Sequence, residues 1–133
     1  MDLHKSAVIS ENVFLGVKNL VMKKGTIINV GSFVDGSAPV VLDEYVRVGP
    51  YVKNLTGTHQ LRNSSLRRWP SDPVIAESVH IKKGCWIGIG VTILPGVTIA
   101  EGCVIGAGAV VNANSEPHGL YVGVPARREN TFL

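Results

Sequence analysis

Aromatic side chains are scarce in this sequence, at 6% of 133 residues, so its core cannot be a wide one filled by rings and must be narrow and aliphatic. No apolar run reaches the roughly 18 residues of a membrane helix without meeting Gly, Thr or a charge, which excludes a membrane span. The N-terminus shows no secretory leader, because Asp2, His4 and Lys5 precede only the short Ala7-Val8-Ile9 run. A soluble, cytoplasmic protein is expected, and the sequons at Asn54 and Asn63 are then chance matches. A zinc site needs about three imidazoles, and the histidines form neither a His-x4-His pair nor another close spacing. No metal is expected. The Gly-x-Gly dipeptides do not open an amphipathic helix, which removes the dinucleotide reading, and nothing favours nucleic acid.

Glycine is abundant instead, with 15 residues, and 45% of the chain is hydrophobic, enough for one core in a single domain spanning 1–133. The order in this composition is a period of six. Ile75, Ile81, Ile87, Ile93, Ile99, Ile105 and Val111 recur at that step, and two residues before them, from 79 on, stand Val79, Cys85, Val91, Val97, Cys103 and Ala109. A helix would rotate such positions 120° out of register at each step, and one flat strand would alternate without punctuation. The period describes a short strand and a corner, repeated, with glycines such as Gly84, Gly90, Gly96, Gly102 and Gly108 falling at the corners. Three hexads make one triangular coil of about 18 residues, stacked at the spacing of paired strands. Ile81 should then lie under Ile99, and Ile87 under Ile105. The two cysteines fall one coil apart in the small-residue column, where a buried thiol behaves as a small hydrophobe; a redox pair is the alternative.

The chain opens with a weaker version of the repeat. Ile9, Leu15, Val21 and Ile27 keep the step, and Val30, Leu42 and Val48 resume it after a shift of three, with Gly36 in one apolar slot. Lys18, Lys23 and Lys24 suit a solvated capping edge. From about 53 to 73 the repeat gives way to a polar, basic stretch holding His59, three arginines and Trp69. An excursion this long in a compact domain is usually functional, and it is expected to be structured and to cover a neighbouring surface. Residues 112–133 read as a closing coil and short tail.

Several motifs resemble those of the hexapeptide-repeat acyltransferases, nearest to the maltose, galactoside and polysaccharide O-acetyltransferases: Thr56-Gly57-Thr58-His59, Cys85-Trp86-Ile87-Gly88, Ile93-Leu94-Pro95-Gly96-Val97-Thr98-Ile99, Ile105-Gly106-Ala107-Gly108 and Gly123-Val124-Pro125-Ala126-Arg127. The resemblance runs from about residue 8 to residue 128. It implies an all-β, left-handed parallel β-helix, a homotrimer with active sites between subunits, and acetyl-CoA as the acyl donor lying along a groove. Position by position it puts His59 at the catalytic base, Asn29 at a polar contact near the thioester, Trp86 at the wall of the acceptor pocket, Gly88, Ile89 and Ala107 along the pantetheine arm, and Arg127 near the nucleotide phosphates. Two departures stand out. Asn112-Ala113 replaces the Thr-Lys of relatives, and the N-terminal helical segment of many sugar acetyltransferases has no counterpart.

The residues support the same chemistry by themselves. Transfer from a thioester to a hydroxyl needs a base and a donor for the oxyanion, and histidine is matched to the first task near neutral pH. His4 is terminal, His80 stands at an outward ladder position, His118 lies in the tail, and His59 alone belongs to the excursion. A solvated loop histidine, a Trp86 packed over a corner and an arginine pair that solubilises the tail are the structural alternatives. An O-acetyltransferase is the first reading; an N-acyltransferase on an amino sugar or nucleotide sugar, or a non-catalytic or zinc-hydratase-like β-helix, are the others.

Overall fold

The computed structural model describes residues 1–16, 19–62, 65 and 74–132. Its strands wind into five coils and a partial sixth. The first coil is β1 (Asp2–Leu3), β2 (Val8–Ile9) and β3 (Phe14–Leu15), and the second is β4 (Leu20–Met22), β5 (Ile27–Ile28) and β6 (Phe33–Val34). The third is β7 (Val40–Leu42), β8 (Arg47–Val48) and β9 (Lys53–Asn54). A ribbon of β10 (Gly57–Thr58) and β11 (Ile75–Ala76) interrupts the winding. The fourth coil is β12 (Val79–Ile81), β13 (Trp86–Ile87) and β14 (Thr92–Ile93); the fifth is β15 (Thr98–Ile99), β16 (Val104–Ile105) and β17 (Val110–Val111). The chain closes in β18 (Gly119–Val122) and β19 (Arg127–Thr131).

Corresponding strands pair in parallel to form three faces: β1-β4-β7-β12-β15, then β2-β5-β8-β13-β16-β18 with β19 antiparallel at its end, then β3-β6-β9-β14-β17. This all-β parallel solenoid is consistent with the left-handed β-helix that the resemblance implies. The expected stacking is present, with Ile81 opposite Ile99 and Ile87 opposite Ile105. In the fourth and fifth coils two side chains point inward at each strand with one outward between them. Val79 and Ile81 are wholly buried around the partly exposed His80, and Cys85 and Ile87 are buried around the exposed Trp86. Each fully buried Ile or Val in these columns contributes about 1.5–3 kcal/mol relative to exposure, so the aliphatic ladder is the principal stabilising feature.

Three expectations need correction. Ile75 does not start the ladder; it pairs with Thr58 across the β10/β11 ribbon and is exposed. Val21 and Ile27 point outward, and Met22 and Ile28 fill the core. Val30 and Gly36 occupy no inward slot: Val30 lies in the turn after Ile28, and the place given to Gly36 belongs to Val34, with Gly36 at a corner against the Gly16 carbonyl. The cause is insertion. The inward series reads Leu3, Ile9, Leu15, then Met22, Ile28, Val34, then Leu42, Val48, Asn54, then Ile81 onward. One residue is added after Leu15 and two after Val34, and a constant step of six carried past the first insertion lands on the outward residue of the next strand.

Lys23 is more than a solvated cap, because it pairs with Asp43 at 2.8 Å. Lys18, Arg67, Arg68 and Trp69 lie outside the described residues. The tail is a hairpin, its last strand exposed along its length.

Candidate active site

Asn29, Gly49, Gly88 and Gly106 each follow the inward residue of a second-face strand and form a column at the corner between the second and third faces. Their N–H groups donate to the next coil: Asn29 to the Val48 carbonyl at 3.0 Å, Gly49 to Ile87 at 2.8 Å, Gly88 to Ile105 at 2.8 Å and Gly106 to Tyr121 at 2.8 Å. A side chain at Gly88 would place its Cβ 2.8 Å from the Ala107 nitrogen and 2.9 Å from the Ile105 oxygen, so close approach of the backbone dictates glycine there. Asn29 keeps a side chain; its Oδ1 accepts the Val30 N–H at 2.8 Å, which leaves the amide NH2 as a donor.

Ile89 and Ala107 form the next column, one coil apart, where Gly108 donates to the Ile89 carbonyl at 2.9 Å; both residues are exposed. Arg127 continues this corner beyond the fifth coil, since it pairs with Val122, whose side chain lies above Gly106. Its Nη1 donates to the adjacent Ala126 carbonyl at 3.0 Å, and it is exposed. Arg128 is occupied differently, donating to the Tyr121 hydroxyl at 3.0 Å and the Pro117 carbonyl at 3.1 Å. Trp86, 56% exposed, stands outward on the second face between Arg47 and Val104.

His59 lies elsewhere. It follows β10 at the corner between the third and first faces, exposed, and lines a pocket of about 310 Å3 with Thr58, Gln60, Leu61, Arg62, Ile75 and Glu77. Within one chain the structure gathers Asn29, Gly88, Ile89, Ala107 and Arg127 along one edge, with Trp86 on the adjoining face, and holds His59 on another. Asn112 and Ala113 follow β17 at the same corner as His59.

The stem of the excursion is anchored by residues to which sequence reasoning gave no role. Asp35 Oδ1 accepts the Gly36 N–H at 2.7 Å and Oδ2 accepts the Thr56 N–H at 3.0 Å. Burial acts to raise the Asp35 pKa, but the N–H groups of Thr56, Gly36 and Gly57 and the Thr56 hydroxyl outweigh it and hold the carboxyl below its ordinary value. Thr56 is wholly buried, and its Oγ1 accepts the Ala38 N–H at 3.1 Å. Glu77 donates its N–H to the Thr56 carbonyl at 2.8 Å and folds its carboxylate over Gly96. The Asp35-Gly36 dipeptide was a visible turn signal; Glu77 gave none.

Both cysteines are buried and free. Burial pushes the Cys85 thiol up to about 12, and its Sγ donates to the Ala100 carbonyl at 3.0 Å, so it is no nucleophile. On the first face His80 Nε2 meets Asp43 Oδ2 at 2.8 Å, opposite the Lys23 pair. Among the described residues no three His, Cys, Asp or Glu side chains form a metal-binding group, and no helix is long and apolar enough to cross a membrane.

Comparison with known proteins places this geometry. The family of the bacterial transferase hexapeptide (six repeats) matches residues 78–113. A hexapeptide-repeat-containing acetyltransferase of Vibrio cholerae is 32% identical, with 98% of this chain and 73% of that one covered at a TM-score of 0.85. A structure of the Vibrio cholerae O1 biovar eltor acetyltransferase complexed with acetyl coenzyme A is 27% identical over 98% of this chain and 70% of that one, at a TM-score of 0.72. A maltose O-acetyltransferase from Clostridium difficile 630 is 29% identical over 96% of this chain and 67% of that one, at a TM-score of 0.89. No curated protein sequence gives a significant match. The chain belongs to the hexapeptide-repeat acetyltransferases.

Proposed function

We propose that this acetyltransferase moves the acetyl group of acetyl-CoA to a hydroxyl of a sugar or similar small acceptor, with His59 as the general base. Residues 1–133 act as one domain, in the cytoplasm where acetyl-CoA is made, and three copies assemble so that the His59 corner of one faces the Gly88–Ala107 corner of the next. The observation carrying this reading is the separation of the two corners: a base on one edge and a groove on another complete one site only when a second copy brings them together.

Acetyl-CoA lies along Ile89 and Ala107, with Arg127 near its phosphates. The floor there is backbone, because glycine at 88 leaves no side chain to obstruct the pantetheine arm. His59 takes the proton of the acceptor hydroxyl as its oxygen attacks the thioester carbonyl, and the resulting imidazolium returns that proton to the departing thiolate. The Asn29 amide supplies a donor near the thioester, where negative charge develops on the carbonyl oxygen. Trp86 forms a wall of the acceptor pocket. Attack is direct, since the Cys85 thiol is buried and held protonated. Transfer to an amine is the second reading, favoured by an acidic residue, Glu77, in the lining of the His59 pocket.

Thiol release from acetyl-CoA with a panel of sugars and amino sugars tests the proposal. Removal of a positioned base typically costs 10²–10⁴-fold, so His59→Ala should lower turnover by about that factor with little change in CoA affinity. The shape of the pH–rate profile should also differ between the two proteins, because the base is absent from one of them. Near-full transfer by His59→Ala would discard the base. Light scattering should give about three times 14.2 kDa, and a stable monomer that turns over would discard the shared site.

A further inference from the structure

Within the five complete coils, the departures from the six-residue step occur at the corner between the third and first faces: after Leu15, after Val34 and, as the excursion, after Asn54. His59 therefore projects from an insertion, not from a strand locked into the parallel ladder. A catalytic group must be held within about 0.5 Å of its productive place by groups that are themselves fixed. The β10/β11 ribbon cannot supply that alone, being two residues long on each side and partly or largely exposed.

What fixes the stem is the earlier insertion one coil below. Asp35 stands there with its own N–H donated to the Asn54 carbonyl at 2.9 Å, which ties it to the third coil just before the chain leaves. Its two oxygens divide the work: Oδ1 closes its own turn through Gly36 at 2.7 Å, and Oδ2 receives the Thr56 N–H at 3.0 Å. The Gly57 N–H and the Thr56 hydroxyl face the same carboxylate. Thr56 is in turn held from the other side by the Ala38 N–H at 3.1 Å, and a Cβ at Gly57 would meet Ser37 Oγ at 2.7 Å and Val74 Cγ1 at 2.9 Å. The stem is thus clamped three residues before His59 by one acceptor-only group surrounded by donors.

We propose that Asp35 is a positioning residue for His59, acting through Thr56 and Gly57 to aim the strand from which the imidazole projects. The inference rests on the reading of His59 as the base. A carboxylate is required because both oxygens accept; an amide of the same shape would satisfy one donor and turn its own NH2 toward another. Misplacement of a catalytic group by about 1 Å can cost on the order of 10²-fold.

The test is a double-mutant cycle on the full chain, reading thiol release from acetyl-CoA with a mixture of glucose, galactose, maltose and glucosamine. Asp35→Asn should lower turnover roughly 10- to 100-fold in the His59 protein, within the positioning effect just stated, and leave the KM for acetyl-CoA within about twofold. In the His59→Ala background the same substitution should cost less than about twofold, because no base remains to be aimed. A role confined to holding the fold would lower both backgrounds equally, and that result would overturn the proposal, as would full activity of Asp35→Asn. If Asp35→Asn does not fold, Thr56→Val, which replaces the hydroxyl facing Asp35 and accepting from the Ala38 N–H by a methyl, takes its place in the same cycle. Undiminished transfer by His59→Ala, or no thiol release by the unsubstituted protein, would instead sink the reading of the site itself.

Discussion

Gly88 and Gly90 are two residues apart at one corner, and the structure assigns them glycine for different reasons. At Gly88 an added Cβ meets the Ala107 nitrogen at 2.8 Å, the Ile105 oxygen at 2.9 Å and the Ala107 Cα at 3.2 Å, all backbone of the next coil. No flexible side chain can yield, so relief requires the fourth and fifth coils to separate. Overpacking of this kind costs about 1–3 kcal/mol, and immovable neighbours put Gly88→Ala near the top, about 2–3 kcal/mol. At Gly90, φ is +70° and nothing lies within 4 Å of the Cβ position, so only left-handed strain of about 1–2 kcal/mol applies. The stiffer unfolded chain returns about 0.4–1 kcal/mol in both cases. Denaturant unfolding at one fixed protein concentration, needed because assembly shifts apparent stability, should rank Gly88→Ala as clearly less stable than Gly90→Ala. Gly88→Ala should also weaken CoA binding, since the coils it forces apart carry Ile89 and Ala107. Equal stabilities within about 0.5 kcal/mol, half of the roughly 1 kcal/mol between the midpoints of those two costs, or the reverse order, would refute the close-approach argument.

Ala107→Leu should abolish calorimetric CoA binding while the far-ultraviolet spectrum stays unchanged, and Arg127→Ala should flatten the salt dependence of that binding; undiminished affinity in the first or an unchanged slope in the second removes the corresponding contact. Cys85 in the folded protein should resist alkylation at pH 8 and react only on unfolding, because its thiol is pushed up to about 12, and Cys85→Ser should retain transfer activity. Asp43 is drawn below its ordinary pKa by Lys23 and His80 against an opposing burial effect, and Asp35 is lowered by its own donors. Their contribution to stability is therefore present above the ordinary carboxylate value of about 4 and lost as pH falls through the lower folded-state values; the stability gap between the protein and its Asp43→Asn variant should narrow as pH falls below about 4.

The regular block was legible because nothing is inserted between Val79 and Val111. Each residue there sees the same neighbours one coil above and below, and a burial pattern read from sequence cannot drift. The N-terminal coils obey the same rule, but insertions after Leu15 and Val34 break the count, and strands only two or three residues long give alternation too little length to reset it. Asn54 hid the third coil further: it is wholly buried in the ladder between Val34 and Ile93, yet it is polar, and its Oδ1 has no hydrogen-bond partner among the described residues. Asp35 escaped notice because its role depends on Thr56, 21 residues away in the chain and one coil above it. Spacing reports partners on the same strand or hexad; it does not report what an insertion leans against.

The placement of insertions separates two tasks on one solenoid. Around the corner between the second and third faces the inward residues keep a step of six in every coil: Ile9 to Leu15, Ile28 to Val34, Val48 to Asn54, Ile87 to Ile93 and Ile105 to Val111. Backbone N–H and carbonyl groups therefore recur there at the constant spacing of stacked strands, a uniform edge suited to an elongated molecule lying along it. The third–first corner has no such constraint, because a loop leaving it disturbs neither the ladder before nor the ladder after. It can lengthen by one residue, by two or by an entire excursion while Met22, Leu42 and Ile81 resume the stack. In the proposed site, chemistry tailored to one acceptor would be altered at this corner without altering the groove on the other. That is where His59, Arg62 and Glu77 share a pocket and where Asp35 fixes the stem.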